Sequence, residues 1–157
     1  MIRPCRSPFH YDERFSLTVE PAGLWSILER TDQYVEWWSW LRTFEAGGLR
    51  VGDAARCVVR APLPYSLRFT VHVEEVVPAT RVVTRVDGDL VGPACLEIAD
   101  APDGCEARLV WALELRDPVL GPLAALTRPA MQWAHDRVVE VGLSDFRRRA
   151  IEGRAHP

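Results

Sequence analysis

The stretch LGPLAALTRPAMQWAHDRVVEVGLSDFRRRAIE, residues 120–152, is the one long helical pattern in this chain. From Met131 onward, apolar or small residues recur every three or four positions, at Met131, His135, Val138, Val139, Gly142, Phe146 and Ala150. This spacing places them on one stripe of a helix, and the opposite, solvated stripe holds Asp136, Arg137, Glu140, Ser144, Asp145 and Arg148. Pro129 suits a first helical turn, so we expect a short helix near 119–127 and a main helix from about Pro129.

The chain before this helix is mostly strand-like. Residues 10–20 alternate apolar and polar side chains and predict a first strand. Pro21 opens a short helix, and Thr31 with Asp32 predicts the cap of a second short helix that runs through Tyr34 to Trp37. From Trp40 the helical period is lost, and turn-forming stretches separate predicted strands at 40–46, 54–61, 65–77, 80–87, 88–99 and 105–116. This order favours a continuous antiparallel sheet.

The last hairpin has a register that can be predicted. A turn centred between Pro102 and Asp103 places apolar residues opposite one another, pairing Leu96 with Leu109, Ala94 with Trp111 and Ile98 with Ala107. The strand at 65–77 likewise directs Leu67, Phe69, Val71 and Val73 to one face. A sheet with one buried face needs a cover, and the helix after residue 128 is the only element long and apolar enough. We therefore expect a curved sheet around one long helix.

Composition excludes several classes of protein. A chain of 157 residues has the length of one domain, which we place at 1–157. The 19 basic residues, all arginine, and the 22 acidic residues are spread along the chain, so no basic stripe indicates nucleic acid as a partner. Schiff-base chemistry is excluded because lysine is absent. No apolar run indicates a signal peptide or a membrane span, so we expect a cytoplasmic protein, either a monomer or a homodimer.

The cysteine and histidine spacing does not indicate a metal site. Cys5, Cys57, Cys95 and Cys105 form no CxxC pair, and we interpret them as reduced, structural thiols. The four histidines include no HxH or HExxH motif. We therefore expect neither a metal ion nor another cofactor.

Several short motifs occur in an order typical of a known superfamily. They are the segment FSLTVEPAGLWSILERTDQYVEWWSWL at 15–41, the Val51-Gly52 pair, the GDLVG segment at 88–92, Trp111, and the Arg128-Pro129 pair before the long helix. In this order the chain resembles the START-like (SRPBCC) superfamily, in its polyketide cyclase/dehydrase-like branch. The resemblance implies an α+β helix-grip fold: a seven-stranded curved antiparallel sheet wrapped around a long C-terminal helix, with two short helices after strand one.

The resemblance also implies a deep, largely apolar cavity for a hydrophobic or aromatic small molecule. Our first hypothesis is a protein that binds a polyketide-like or lipid-like ring compound and catalyses its cyclisation or dehydration without a cofactor. The alternative is a ligand-binding or carrier protein without turnover. A third hypothesis is a protein–protein adaptor that exposes the WWSW cluster, Trp37 to Trp40. A titratable cavity residue with a strongly shifted pKa favours an enzyme, an entirely apolar lining favours a carrier, and strong exposure of all three tryptophans favours an adaptor.

The predicted ligand contacts are aromatic residues and one methionine. They are Trp38, Trp40, Tyr65, Phe69, Trp111 and Met131, although ordinary core packing is the competing interpretation for each. His135 lies on the inward stripe and is a candidate general acid or base, or else a histidine at the edge of the core. Arg85 is a candidate for binding a ligand oxygen anion, provided that Arg85 and not Thr84 faces inward. The sequence leaves that choice open.

Overall fold

The computed structural model describes residues 9–60, 66–116 and 128–152. The strands are β1 Phe9–Leu17, β2 Leu41–Ala46, β3 Ala54–Arg60, β4 Ser66–Val77, β5 Arg81–Gly88, β6 Leu90–Ala101 and β7 Gly104–Leu115. The helices are α1 Pro21–Leu28, a 3-10 turn Thr31–Gln33, α2 Tyr34–Trp37 and α3 Arg128–Asp145, which continues as a π-helix over Phe146–Ile151. The predicted α+β helix-grip fold is confirmed.

The seven strands form one antiparallel sheet in the order β1-β7-β6-β5-β4-β3-β2. Alternation along the strands predicted the β6–β7 register correctly, because Leu96 pairs with Leu109 and Ala94 pairs with Trp111. Register shifts interrupt the ladder between Leu41 and Thr43 and between Val73 and Glu75. Such irregularities bend strands and increase twist. The sheet therefore has a concave, apolar face toward α3.

The core lies where α1 and the C-terminal helix meet the sheet. Leu24 and Ile27 of α1 are each 2% exposed. They lie three residues apart and so share one apolar face of the helix, which begins at Pro21. Trp37 of α2 and Phe146 pack into the same cluster. Helices α1 and α2 and the C-terminal end of the last helix therefore pack against the sheet in one common cluster.

Arginines attach the C-terminal helix to the rest of the fold. Arg147 donates a hydrogen bond of 3.0 Å to the carbonyl oxygen of Ser16 at the end of β1. Arg149 donates to the carbonyl oxygens of Glu36 and Trp37, at 3.1 and 3.3 Å. These bonds fix the carboxyl end of the helix against β1 and α2.

Three local predictions need correction or lie outside the described residues. Asp145 was expected on the solvated stripe but is only 6% exposed and accepts a hydrogen bond of 2.8 Å from Arg148. Asp145 lies three residues after Gly142 and seven after Val138, so regular α-helical spacing already places it at the edge of the inward stripe. Neither Thr31 nor Asp32 caps the second short helix with its side chain. The expected helix near 119–127 lies outside the described residues.

Candidate functional site

A cavity of about 410 Å³ lies between the concave face of the sheet and α3. Strands β1, β3, β4, β6 and β7, helix α1 and the inward stripe of α3 all contribute to its lining. The lining is almost entirely apolar, and the volume falls within the range of pockets that bind small molecules. The inward, apolar face of the sheet and the inward stripe of α3 therefore enclose a cavity.

One end of the cavity is formed by tryptophans, and we call it the tryptophan end: Trp38, Trp40, Gly142 and Phe146. The Trp38 ring stacks on the rings of Trp40 and Phe146, with centroid distances of 5.6 and 5.9 Å. The indole Nε1 of Trp38 donates a hydrogen bond of 2.9 Å to the carbonyl oxygen of Gly142. This bond fixes the flat Trp38 ring against α3.

Gly142 packs against the Trp40 ring. A Cβ atom at Gly142 would lie 3.4 to 3.5 Å from this ring, which is an ordinary van der Waals distance. The indole of Trp40 and the backbone of α3 are therefore in packing contact at this end of the cavity. The buried Nε1 of Trp40 has no hydrogen-bond partner among the described residues.

The other end of the cavity contains hydrogen-bonded polar groups, and we call it the histidine end: Tyr11, Trp111, His135 and Asp136. Trp111 Nε1 lies 3.0 Å from His135 Nε2, and His135 Nδ1 lies 3.2 Å from a carboxylate oxygen of Asp136. An indole N–H only donates, so His135 Nε2 accepts and the ring proton resides on Nδ1, where it donates to Asp136. The contacts thus assign a neutral imidazole with a defined tautomer.

Tyr11 and Gln132 complete the histidine end. The Tyr11 and Trp111 rings stack with centroids 4.4 Å apart and planes 17° apart. Burial raises the pKa of the Tyr11 phenol, and the nearby Glu13 carboxylate raises it further, so the phenol stays protonated. Gln132 donates a hydrogen bond of 2.8 Å to Asp136. The aromatic pair and the amide hold both partners of His135 in place.

The two ends lie along the same face of α3. His135 and Gly142 are seven residues apart, which corresponds to about two helical turns or roughly 10 Å. Tyr11 and His135 are the only titratable side chains among the described residues of the lining. In the part of the chain that the structure describes, no group of three or more metal-binding side chains occurs. The site is therefore an aromatic cavity with a few polar groups at one end.

Comparison with known proteins gives matches to solved structures. The sequence matches no protein-family model, and no curated protein matches it. TTHA0849 from Thermus thermophilus is similar over 92% of this chain and 99% of its own, with a TM-score of 0.76 and 15% identity. The Zhui aromatase/cyclase from Streptomyces sp. R1128 is similar over 90% and 93%, with a TM-score of 0.71 and 11% identity.

A third similar structure is BexL, a di-domain ARO/CYC protein of the BE-7585A biosynthetic pathway. It matches 91% of this chain with half of its own length, at a TM-score of 0.70 and 16% identity. The chain has the START-like fold. At these identities the comparisons define the architecture alone, and function has to be argued from the cavity.

Four of the sequence-predicted ligand contacts line the cavity: Trp38, Trp40, Phe69 and Trp111. His135 also lines it, and its side chain is 13% exposed. Tyr65 and the side chain of Met131 lie outside the described residues. Trp37 is buried in the core.

Arg85 does not line the cavity. It pairs with His72 and Pro93, which are exposed as Arg85 itself is. Thr84 lies on the opposite face of β5, and its hydroxyl donates a hydrogen bond of 3.0 Å to the carbonyl oxygen of Ala94. The structure therefore does not support a role for the Arg85 guanidinium in binding a cavity ligand.

Sequence reasoning missed two cavity residues that matter, Tyr11 and Gly142. Tyr11 shares its strand face with Phe15 and Leu17, so the period-two pattern already placed it inward. Its stacking on Trp111 depends on the β1–β7 pairing, which joins the first and last strands. Gly142 was on the predicted stripe, but its contacts with two tryptophans about 100 residues earlier have no local signal.

Proposed function

We propose that this protein binds a hydrophobic small molecule with several rings in the cavity between the sheet and α3. The observation that carries the proposal is an apolar hollow of about 410 Å³ with Trp38, Trp40 and Trp111 in its lining. Aromatic side chains pack ligand rings in offset or edge-to-face arrangements. Burial of apolar ligand surface, at about 25 cal/mol per Å², supplies most of the binding free energy.

The polar groups at the histidine end favour binding over turnover. Both ring nitrogens of His135 already have partners, Trp111 and Asp136, so the resting site offers no unoccupied base. A carrier protein needs only polar groups that orient the ligand and a cavity that excludes water, and both are compatible with a fully paired His135. The adaptor hypothesis required exposed tryptophans, yet Trp37 is 5% exposed and Trp38 and Trp40 line the cavity, so we do not propose it.

Cofactor-independent cyclisation or dehydration is the second candidate function. The observation that favours it is the Asp136–His135 pair, because a carboxylate that orients an imidazole is a recurring acid–base arrangement. The fold is shared with proteins described as aromatase/cyclases, which supports a polyketide-like substrate. If His135 is catalytic, His135→Ala lowers turnover of a bound polyketide while its Kd stays near the starting value. Loss of affinity together with turnover contradicts the catalytic role.

Cellular context stays a prediction from the sequence. None of the described helices is long and apolar enough to cross a membrane. A cytoplasmic location, a single domain over 1–157 and a monomer or homodimer are proposals to be tested with the purified protein.

The binding proposal is tested by native mass spectrometry of protein purified from its own host. We expect an additional mass that organic solvent releases. Val139→Trp places a large side chain in the cavity, whereas Ser144→Trp places the same side chain on the exposed face of α3. The added mass should disappear in the first variant and persist in the second. A protein without bound ligand, or equal retention by both variants, contradicts the proposal.

A further inference from the structure

We propose that Trp111 and His135 select ligands that carry a hydroxyl group on a ring, and that this hydroxyl inserts between the two side chains. This inference rests on the proposed binding function and specifies the ligand class. Trp111 Nε1 donates a hydrogen bond of 3.0 Å to His135 Nε2, and both residues line the cavity. They form the polar pair that a ligand in the cavity meets at the histidine end.

The chemistry of the pair defines what replaces their bond. Trp111 Nε1 is an obligatory donor, and His135 Nε2 is an acceptor because Nδ1–H is directed at Asp136. A hydroxyl group both donates and accepts. It therefore satisfies the two nitrogens at once, donating its proton to Nε2 and accepting the indole N–H.

Other ligand groups cannot do this. An ether or ketone oxygen accepts from Trp111 but leaves His135 Nε2 without a donor, and a buried polar group without a partner costs free energy. A purely apolar ring leaves the existing bond intact and gains no hydrogen bond. When a hydroxyl inserts, the Trp111–His135 hydrogen bond is lost and two hydrogen bonds to the ligand form, which is a net gain of one hydrogen bond.

The Trp111 and His135 rings have to move slightly apart before a ligand hydroxyl fits between them. Two hydrogen bonds of about 2.8 Å that meet at a hydroxyl oxygen place the nitrogens roughly 4.6 Å apart. Stacking on Tyr11 holds the Trp111 ring plane, and Asp136 holds the tautomer of His135. Both rings adjoin the cavity, so the hydroxyl reaches the gap from the ligand side.

The test compares three probes of similar shape, namely 2-naphthol, 2-methoxynaphthalene and naphthalene, by calorimetric titration of the wild-type protein. We expect 2-naphthol to bind about threefold to tenfold more tightly than either analogue, which is the effect of one net hydrogen bond. Equal Kd values for the three probes overturn the inference but leave the proposed binding function intact. Failure of all three to bind overturns both.

The proposal predicts opposite effects of two substitutions on the preference for 2-naphthol. In His135→Phe the acceptor is absent, so 2-naphthol and 2-methoxynaphthalene should bind equally. In Trp111→Phe the acceptor remains and no bond has to be broken, so the preference for 2-naphthol should be retained. Trp133→Phe is the matched control, because it removes an indole N–H from the exposed face of α3, outside the cavity lining, and should leave the preference unchanged. Loss of the preference in Trp133→Phe, or its persistence in His135→Phe, contradicts the assignment.

An NMR measurement on the wild-type protein keeps the inference testable if a variant fails to fold. The indole N–H resonance of Trp111 and the ring nitrogens of His135 should shift on addition of 2-naphthol. They should shift far less with naphthalene. Equal shifts with both probes would contradict insertion of the hydroxyl.

Discussion

The indole nitrogen of Trp38 lies 2.9 Å from the carbonyl oxygen of Gly142, 104 residues further along the chain. This hydrogen bond joins the segment after α2 to the last turn of α3. It also holds one aromatic ring in the lining of the cavity. The relationship between these residues therefore contributes both to stability and to the shape of the binding site.

Replacing Trp38 with phenylalanine should destabilise the fold measurably. The variant loses a partly buried hydrogen bond, which is worth about 1 kcal/mol, and some packing area. Trp133→Phe is the control, because Trp133 is 57% exposed and its replacement should change the free energy of unfolding by less than about 0.5 kcal/mol. Urea denaturation measures both. Equal losses in the two variants would show that the bond to Gly142 does not stabilise the protein.

Gly142→Ala should give the stabilisation that this substitution normally provides inside a helix, which is about 1 kcal/mol. The new methyl group would lie 3.4 to 3.5 Å from the Trp40 ring, an ordinary van der Waals contact, so the indole does not have to move. Ser144→Ala, on the exposed face of the same helix, is the control and should raise stability by a few tenths of a kcal/mol. Thermal unfolding distinguishes the two. A loss of stability in Gly142→Ala would mean that the Trp40 ring has no room for the methyl group.

Gly104 at the start of β7 should not tolerate a side chain. Its φ is +148°, and a Cβ would lie 2.1 Å from the carbonyl oxygen of Leu17. Gly52 also has a positive φ, +91°, but no atom lies within 4 Å of its Cβ position. We expect Gly52→Ala to cost about 1–2 kcal/mol from backbone strain alone, and Gly104→Ala to cost more than about 3 kcal/mol. Comparable Tm values for the two variants would contradict this.

Stability should decrease at alkaline pH because of Cys57. Burial raises the pKa of its thiol from 9.0 to about 12 in the folded protein. Between these values the unfolded chain releases the proton and the folded chain retains it. The stabilisation is therefore complete below about pH 9 and is lost as the pH rises, by at most about 1.4 kcal/mol per pH unit.

Cys57→Ala isolates this effect. Urea denaturation at about pH 9 and pH 11 should show a loss of stability in the wild type that exceeds the loss in the variant by roughly 1–2 kcal/mol. The difference between the two proteins removes contributions from other groups that titrate in this range. Identical pH dependence in both would mean that Cys57 ionises normally in the folded state.

The fold was predictable from the sequence because alternation and helical spacing are local signals. The β6–β7 register and the inward positions of His135 and Gly142 follow from the period of the apolar residues. Asp145 was placed wrongly because its charge was taken to indicate a solvated position, although it lies three residues after Gly142 and seven after Val138 on the helix. Residue type alone does not distinguish a buried carboxylate that accepts a hydrogen bond from Arg148 from a solvated one.

The chemistry of the site was less predictable. Apolar positions have the same pattern whether the space between them is filled or hollow, so the cavity itself has no sequence signal. The choice between Thr84 and Arg85 depends on the exact length of a turn and on the register shift near Val73. The bond between Trp111 and His135 joins two elements whose relative placement only the tertiary structure defines.

Arg147 and Arg149 reach the neighbouring elements through main-chain oxygens, at Ser16, Glu36 and Trp37. Every amino acid supplies such an oxygen, so substitution at Ser16 or Glu36 leaves the hydrogen-bond acceptor in place, whereas the side chain of Trp37 is also part of the buried core. The two arginines are the residues that have to be retained. Because the arginine side chains bind main-chain oxygens, Ser16 and Glu36, which supply two of these oxygens, are free to diverge in sequence. Such contacts suit an architecture found in proteins that share only 11% to 16% of their residues with this chain.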